Sequence, residues 1–468
     1  MAKNRIKSKK LQNYFKDIRE NATEESIAKK PTTSHLLKFT LPTILSFLAM
    51  NTLGIVDGVF VSRLINPMTL SAVNIVFPFM SFVQAFGFMM GVGGNALVAK
   101  KIGEGRIQES RENFSLIALV SFIGAIIIAI TAILFPNAIL NILGVDDYIR
   151  PTAMAYMQPM LYFLPAAVIG MVFQQFLITV GKAHYSAIMS FVCGILSAGL
   201  NYVFIYLLDM GISGAALATS MGWVLPAAVG LLYFTFKRSG TLYLVRPKLD
   251  LRALGKSCVN GASEMVTMLS ISITTVLMNN VLMNLDDGGI IAVGASAIMF
   301  GVMQIFAALF IGYSAGVMPI ISYNYGKGDT DNLRKSYTNS LRLIGILSVI
   351  ATVLAFTTVD IMISIYGVSA GTPMYNMTRT GLMFLAGGFI FMGFNAFGSM
   401  FFTALNNGVV SSVIASFNTL IFVIITLFTL PALFGLIGAW VAIPVAEALS
   451  IIMTVIFFKV MKKKYGYA

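Results

Sequence analysis

Charge is scarce in this chain. Only 11% of its 468 residues are Asp, Glu, Lys or Arg, where a soluble domain carries about 25%. So few charges cannot cover a water-facing surface, which excludes an ordinary soluble fold. Cysteine is almost missing too: Cys193 and Cys258 rule out a disulfide framework and are expected to be inert thiols. Histidine is limited to His35 and His184 at the edges of apolar segments, with no HExxH or similar cluster. No enzyme activity and no cofactor are therefore expected. The GxxxxGK[ST] motif is also lacking, so nothing points to ATP-driven pumping, and GVGGNA from Gly91 reads as close helix packing or local unwinding inside an apolar run.

What the chain has instead is apolar length. Hydrophobic residues make up 57% of it and the mean hydropathy is +0.84. Runs of about 20 apolar residues, the length that crosses a bilayer, predict twelve spans near 36–61, 70–99, 114–135, 156–180, 186–208, 214–236, 259–283, 290–323, 337–358, 377–405, 409–430 and 436–460. The first run is too long for a signal peptide and has no cleavage site after it, so it is expected to stay as a span.

The chain also repeats itself. GISGAALATSMG from Gly211 returns as GLIGAWVAIPVAE from Gly435, KKIGEGRIQESR from Lys100 as NYGKGDTDNLRK from Asn324, and Gly144-Val145 as Gly367-Val368. The offset of about 223 residues is far longer than a solenoid unit. It divides the spans six and six, and an even number per copy sets the copies parallel about an axis along the membrane normal. The expected fold is an all-α polytopic membrane protein, with twelve transmembrane helices in two pseudo-symmetric six-helix lobes. The organisation is a basic tail (1–35), an N-lobe (36–236), a linker (237–258) carrying Lys237, Arg238, Arg246, Lys248, Arg252 and Lys256, a C-lobe (259–460) and a second basic tail (461–468).

Cations fix the expected orientation. With both termini cytoplasmic, only Arg63, Arg150 and Arg379 fall outside, as the positive-inside rule requires of a multi-pass protein in the cell membrane. The net charge of +13 then records loops held against an anionic leaflet, not nucleic-acid binding.

Three acids lie well inside apolar segments: Asp57, Glu264 and Glu447. A carboxylate at bilayer depth is costly unless it faces a wet cavity, is paired or is protonated, so each is a candidate site; the bland alternative is an interhelical hydrogen bond. Asp57 has Gly54 and Gly58 beside it. Asn74, Gln84, Gln174, Gln175, Ser197 and Asn201 could complete a site in the first half, and Asn279, Asn280, Gln304 and Asn395 could do so around Glu264 in the second. Taken singly, such residues are more often helix glue. The 36 Phe, 17 Tyr and 28 Met suit a cavity for lipophilic cations, through ring faces and adaptable thioethers, although most of them pack helices or face lipid.

IVDGVFVSRL, KKIGEG, NYVFIYLLDMGISGAALAT from Asn201 and their second-half echoes resemble the multidrug and toxic compound extrusion (MATE) family over about residues 36–460. The resemblance implies two six-helix lobes around a cleft open alternately to each side, exporting organic cations in exchange for proton or sodium. It gives Asp57 the role of the first-helix coupling aspartate, and Glu264 that of the seventh-helix glutamate of one branch, with Asn260-Gly261-Ala262 where a proline is often found. Asn201 stands where another branch has a second aspartate, and the tenth helix offers Asn395 but no acid. Cation coupling is thus expected at Asp57, Glu264 and Asn201, with sodium at Asp57 and Asn201 if sodium is the ion. Substrate contacts are expected at Asp57, Gln84, Gln174, Glu264, Gln304 and Asn395, and Glu447 is a further buried acid. The partners expected are small organic cations and the bilayer, with a monomer sufficient. A flippase for lipid-linked or other amphipathic substrates is the alternative, and a channel or passive receptor a third reading.

Overall fold

The structure, a computed structural model, describes residues 25–64, 69–145, 147–238, 240–285 and 289–468, with side chains described outside 25–26, 53–64, 69–72, 74 and 290. The described chain is helical because a lipid-embedded backbone must satisfy its own hydrogen bonds. Its long helices are α1 (Thr33–Leu64), α2 (Thr69–Gly103), α3 (Ile107–Leu134), α4 (Arg150–Thr179), α5 (Ala183–Asn201, continued by a π-helical turn, Tyr202–Leu207) and α6 (Gly211–Phe236). The second half repeats them as α7 (Leu251–Met283), α8 (Ile290–Lys327), α9 (Thr330–Ile365), α10 (Pro373–Ala404) and α11 (Gly408–Ser416, continued by a π-helical turn, Phe417–Ile421). The last helix, Phe422–Tyr465, is broken at Gly435: residues 422–434 complete α11 and 436–465 form α12.

The packing shows the expected two-lobe pseudo-symmetry. Within the first half α1 meets α5, α2 meets α4, α3 meets α4 and α4 meets α6; the same pairings return as α7 with α11, α8 with α10, α9 with α10 and α10 with α12. The repeated glycines take matching positive φ angles, 57° at Gly211 and 56° at Gly435, 77° and 73° at Gly105 and Gly328, and 72° and 76° at Gly144 and Gly367. Only glycine enters this region without a steric penalty, so the sequence echo marks the same turns in both lobes.

Helix ends depart from the apolar runs. Helix α7 starts at Leu251, not near 259, because the Asp250 carboxylate accepts from the Ala253 N–H (2.9 Å) and caps it. The basic segment 237–258 therefore divides into a non-helical strap and the first turns of α7. The strap is held on α3: Arg111 donates to the Thr241 carbonyl (2.8 Å) and the Tyr243 hydroxyl (3.0 Å), and the Val245 N–H donates to Ser115 Oγ (2.9 Å). Asp329 likewise caps α9 seven residues before its apolar run, accepting from the Asn332 N–H (3.0 Å).

The lobes meet where the basic loops gather. Helix α2 crosses α7, α8 crosses α1, and α2 meets α8 on the pseudo-axis. A methyl group on Gly103 would overlap the Tyr323 carbonyl oxygen, and one on Gly326 the Lys100 carbonyl oxygen, so this pair of glycines permits backbone contact between the lobes. The Lys100 ammonium lies 4.8 Å from the Tyr325 ring centre, and Asn406 donates to the Ala96 carbonyl (3.2 Å) while accepting from Asn260 Nδ2 (2.9 Å). At the opposite ends of the helices, Arg150 pairs with Asp147 (3.1 Å) and Arg379 with Asp360 (3.0 Å).

Two helices trade lobes at their basic ends. Leu36, Phe39, Ile44 and Phe47 of α1 are buried in the same apolar cluster as Tyr313, Val317 and Ile320 of α8. Leu254 and Cys258 of α7 pack on the cluster of Met90, Phe114 and Phe176 in the first half.

Candidate functional site

Polar side chains from five helices converge in the C-lobe. Helix α7 presents Glu264, Thr267, Ile271 and Thr274 along one stripe, as the spacing of three and four residues requires. Opposite them α8 brings Phe300, Met303, Gln304 and Phe310; α10 brings Met392, Asn395 and Ser399; α11 brings Asn418 and Thr419; and α12 brings Ile443 and Glu447. They line a partly open cavity of about 130 Å³. Its charge is one-sided, with two carboxyl groups and no Lys, Arg or His among the lining residues.

The two acids are held differently. Glu264 is 7% exposed, and its carboxyl group opens on the cavity without a hydrogen bond to any described residue. Glu447, 8% exposed, is anchored: Asn395 Nδ2 donates to its Oε2 (2.8 Å) and to its backbone carbonyl (2.9 Å). Asn395 is itself fixed, because Thr454 Oγ1 donates to its Oδ1 (2.9 Å), and its amide lies 3.4 Å from Asn418 Oδ1. Pro444, one turn before Glu447, packs on Gly388, so α12 lies close against α10 where Asn395 reaches it.

The π-helical turn of α11 shapes the remaining wall. An added residue per turn re-aims side chains, which is why such turns recur at functional sites. Here it carries Asn418 and Thr419 into the cavity, and the Thr274 hydroxyl lies 3.4 Å from the Thr419 carbonyl. Asn418 was not among the expected site residues, although its signal, an amide in the apolar run VVSSVIASFNTLIFVII, is the same one that identifies Asn395.

Of the residues expected from sequence, Glu264, Gln304, Asn395 and Glu447 thus share one cavity. The others lie elsewhere. The Asp57 side chain falls outside the described residues, as does that of Asn74, so a sodium site at Asp57 with Asn201 falls outside them too. Asn201 is buried at the end of α5, just before its π-helical turn. Gln84 is half-buried on α2, and Gln174 and Gln175 are buried on α4; none of these lines the C-lobe cavity. On α4 the Gln175 carbonyl serves as acceptor for Asn95 Nδ2 (3.2 Å), an interhelical contact. Asn279 lies 3.4 Å from the Ser296 hydroxyl, and Asn280 accepts from Asn284 through its carbonyl (2.8 Å), both away from the cavity. No group of three or more His, Cys, Asp or Glu able to hold a metal occurs among the described residues.

The architecture has known counterparts. It superimposes on a transporter described as an outward-facing conformation of a multidrug resistance MATE family transporter of the MOP superfamily, with a TM-score of 0.87, 18% identity and coverage of 94% of this chain and 98% of that one. A MOP superfamily transporter from Pyrococcus furiosus, described by the reverse polarity of its binding pocket, aligns with a TM-score of 0.86, 18% identity, and 93% and 97% coverage. In sequence, the multidrug export protein MepA of Staphylococcus aureus (strain MRSA252) is 23% identical over 448 residues, covering 93% of this chain and 95% of its own. MepA of Staphylococcus saprophyticus is 22% identical over 437 residues, covering 92% and 94%. The MatE family model matches twice, once in each half, at residues 42–203 and 264–429. With both lobes matched, and the fold shared across nearly the whole chain, this protein belongs to the MatE family of multidrug and toxic compound extrusion transporters.

Proposed function

We propose that the protein is a secondary active exporter of lipophilic organic cations, driven by antiport with proton or sodium through alternating access of its two lobes. The observation that carries this reading is the C-lobe cavity: Glu264 and Glu447 in a setting of Phe, Met and amide side chains, with no cationic group among the lining residues. A buried carboxylate is favourable only when something positive or a proton accompanies it. An organic cation and a coupling ion can therefore compete for the same negative charge, and that competition is the essence of exchange. The description of the MepA relatives as multidrug export proteins supports the same direction of transport.

In this reading the basic ends of the helices are cytoplasmic, both termini included, and the lobes are closed on that side through the contacts around Gly103 and Gly326. Binding of the coupling ion from outside at Asp57 and Glu264 neutralises the carboxylates, loosens the hold on the cargo and shifts the balance between the two lobe packings. A potential of 100 mV contributes about 2.3 kcal/mol for each net charge moved, so its share in driving export is set by the stoichiometry of the exchange. A flippase handling lipid-linked pyrophosphate would instead have to bring an anion to two carboxylates.

The test is dye efflux from proteoliposomes under an imposed proton or sodium gradient. We expect a panel of cationic dyes to be moved against their gradient by one of the two ions, and Glu264→Gln to lower the coupled rate at least tenfold. Equal movement with no ion gradient, or preference for anionic amphiphiles, would overturn the proposal.

A further inference from the structure

A second cavity lies where the strap between the lobes runs into α7. At its basic end α3 turns Glu109, Glu112 and Asn113 onto one face, as a spacing of three and four residues requires. The strap is held on α3 through Arg111 and Ser115 and passes into α7 at the Asp250 cap. Lys101 from the last turn of α2, with Lys248 and Arg252 from either side of that cap, completes the walls of a cavity of about 520 Å³. Small-molecule sites fill about 300–1,000 Å³.

Not all of its charge is spent within the protein. Lys101 pairs with Glu109 (3.1 Å), and the Asp250 carboxylate caps α7. Lys248 and Arg252 form no ion pair with any described residue, nor does Glu112, whose Oε1 accepts from the Gln108 amide (3.1 Å). Asn113 is 3% exposed, and its Nδ2 is a buried donor with no hydrogen-bond partner among the described residues, a state that native structures avoid unless a ligand or water supplies the acceptor. Two uncompensated cations, one uncompensated carboxylate and an idle amide donor fit a ligand that carries both a phosphate and an ammonium. A simple anion would lie against Glu112, and a simple cation against Lys248 and Arg252.

The level of the cavity along the helices selects the source of such a ligand. Lys101 lies two residues beyond the apolar run that ends at 99, and Asn113 lies one residue before the run that starts at 114. Leu249 and Leu251, on either side of the cap, are 73% and 70% exposed. Exposed leucines alternating with Lys248 and Arg252 at the end of the apolar length match the boundary of a leaflet, where headgroups meet acyl chains. We propose that this cavity binds the headgroup of an amine-bearing phospholipid of the phosphatidylethanolamine class. Lys248 and Arg252 take the phosphate, Glu112 takes the ammonium, Asn113 donates to a headgroup oxygen, and Leu249 and Leu251 meet the acyl chains. The bound lipid fastens the strap, and with it the start of α7, to α3. This site is separate from the C-lobe cavity and does not depend on the antiport reading.

The test is native mass spectrometry of the detergent-purified chain, titrated with short-chain phosphatidylethanolamine, phosphatidylcholine or phosphatidylglycerol, and with free phosphoethanolamine. We expect one phosphatidylethanolamine per chain, bound about tenfold more tightly than phosphatidylcholine, whose methylated nitrogen cannot donate to Glu112, and than phosphatidylglycerol, which has no ammonium. Lys248→Gln combined with Arg252→Gln should lower that affinity about tenfold, and Glu112→Gln should erase the preference over phosphatidylcholine. The exposed positions of Lys248 and Arg252 keep the double variant folded, which an unchanged thermal midpoint without lipid verifies. Equal affinity for the three lipids, or wild-type affinity in the double variant, would overturn the site. Free phosphoethanolamine bound as tightly as the lipid would overturn the membrane as its source. Binding is read without an ion gradient, so a failure of coupled efflux would bear on the antiport reading alone.

Discussion

Placing an ionisable side chain at the centre of a bilayer costs about 2.5–3.5 kcal/mol on insertion scales, and this cost makes individual acids readable in so apolar a chain. Asp57 stands out on that basis alone, and Asp57→Asn is expected to abolish coupled efflux while leaving the protein inserted, measured by dye efflux alongside membrane yield. Glu264, Gln304, Asn395 and Glu447 were visible in the same way and share a cavity. Asn418 was no less polar, yet its role depends on a π-helical turn, which no local pattern announces. Gln84 and Gln174 carry an equal signal but lie away from the C-lobe cavity. Depth in an apolar run can be counted from sequence; the direction in which a side chain faces is decided by packing between helices that are distant in the chain.

Helices were legible as apolar runs, and their ends were not, because hydropathy sees only the lipid-facing length. Caps extend α7 and α9 beyond it. Removing one, by Asp250→Ala, should cost about 1 kcal/mol, seen as a lower thermal midpoint in detergent with efflux retained. The break in the last helix is stricter. At Gly435 φ is 56° and ψ is −136°, a region that charges side-chain-bearing residues about 1–3 kcal/mol. Gly435→Ala should therefore lower the midpoint more than Asp250→Ala does. A smaller loss than that of the cap variant would mean that the break relaxes without strain.

At the scale of the molecule, the internal repeat was the strongest sequence signal, and the paired positive-φ glycines explain why it survived in those places. The closure between lobes was not legible, since it depends on carbonyl oxygens meeting glycines across the pseudo-axis. It makes a prediction: Gly326→Leu should wedge the basic end apart. Cys258, half-buried beside Met90 of the other lobe, should then react faster with a maleimide in a Cys193→Ser background, and efflux should fall. Unchanged labelling would show that the contact does not govern access.

The exchanged ends of α1 and α7 bear on how such a protein can be divided. Neither lobe is a self-sufficient cassette: cutting the strap near residue 240 would leave each fragment with one helix end deprived of its apolar seat and one groove empty. Fragments produced separately should be degraded or aggregate, whereas co-production should restore a working transporter by mutual complementation. Exchanging lobes between relatives would demand that α1 and α7 be replaced together with the surfaces that receive them.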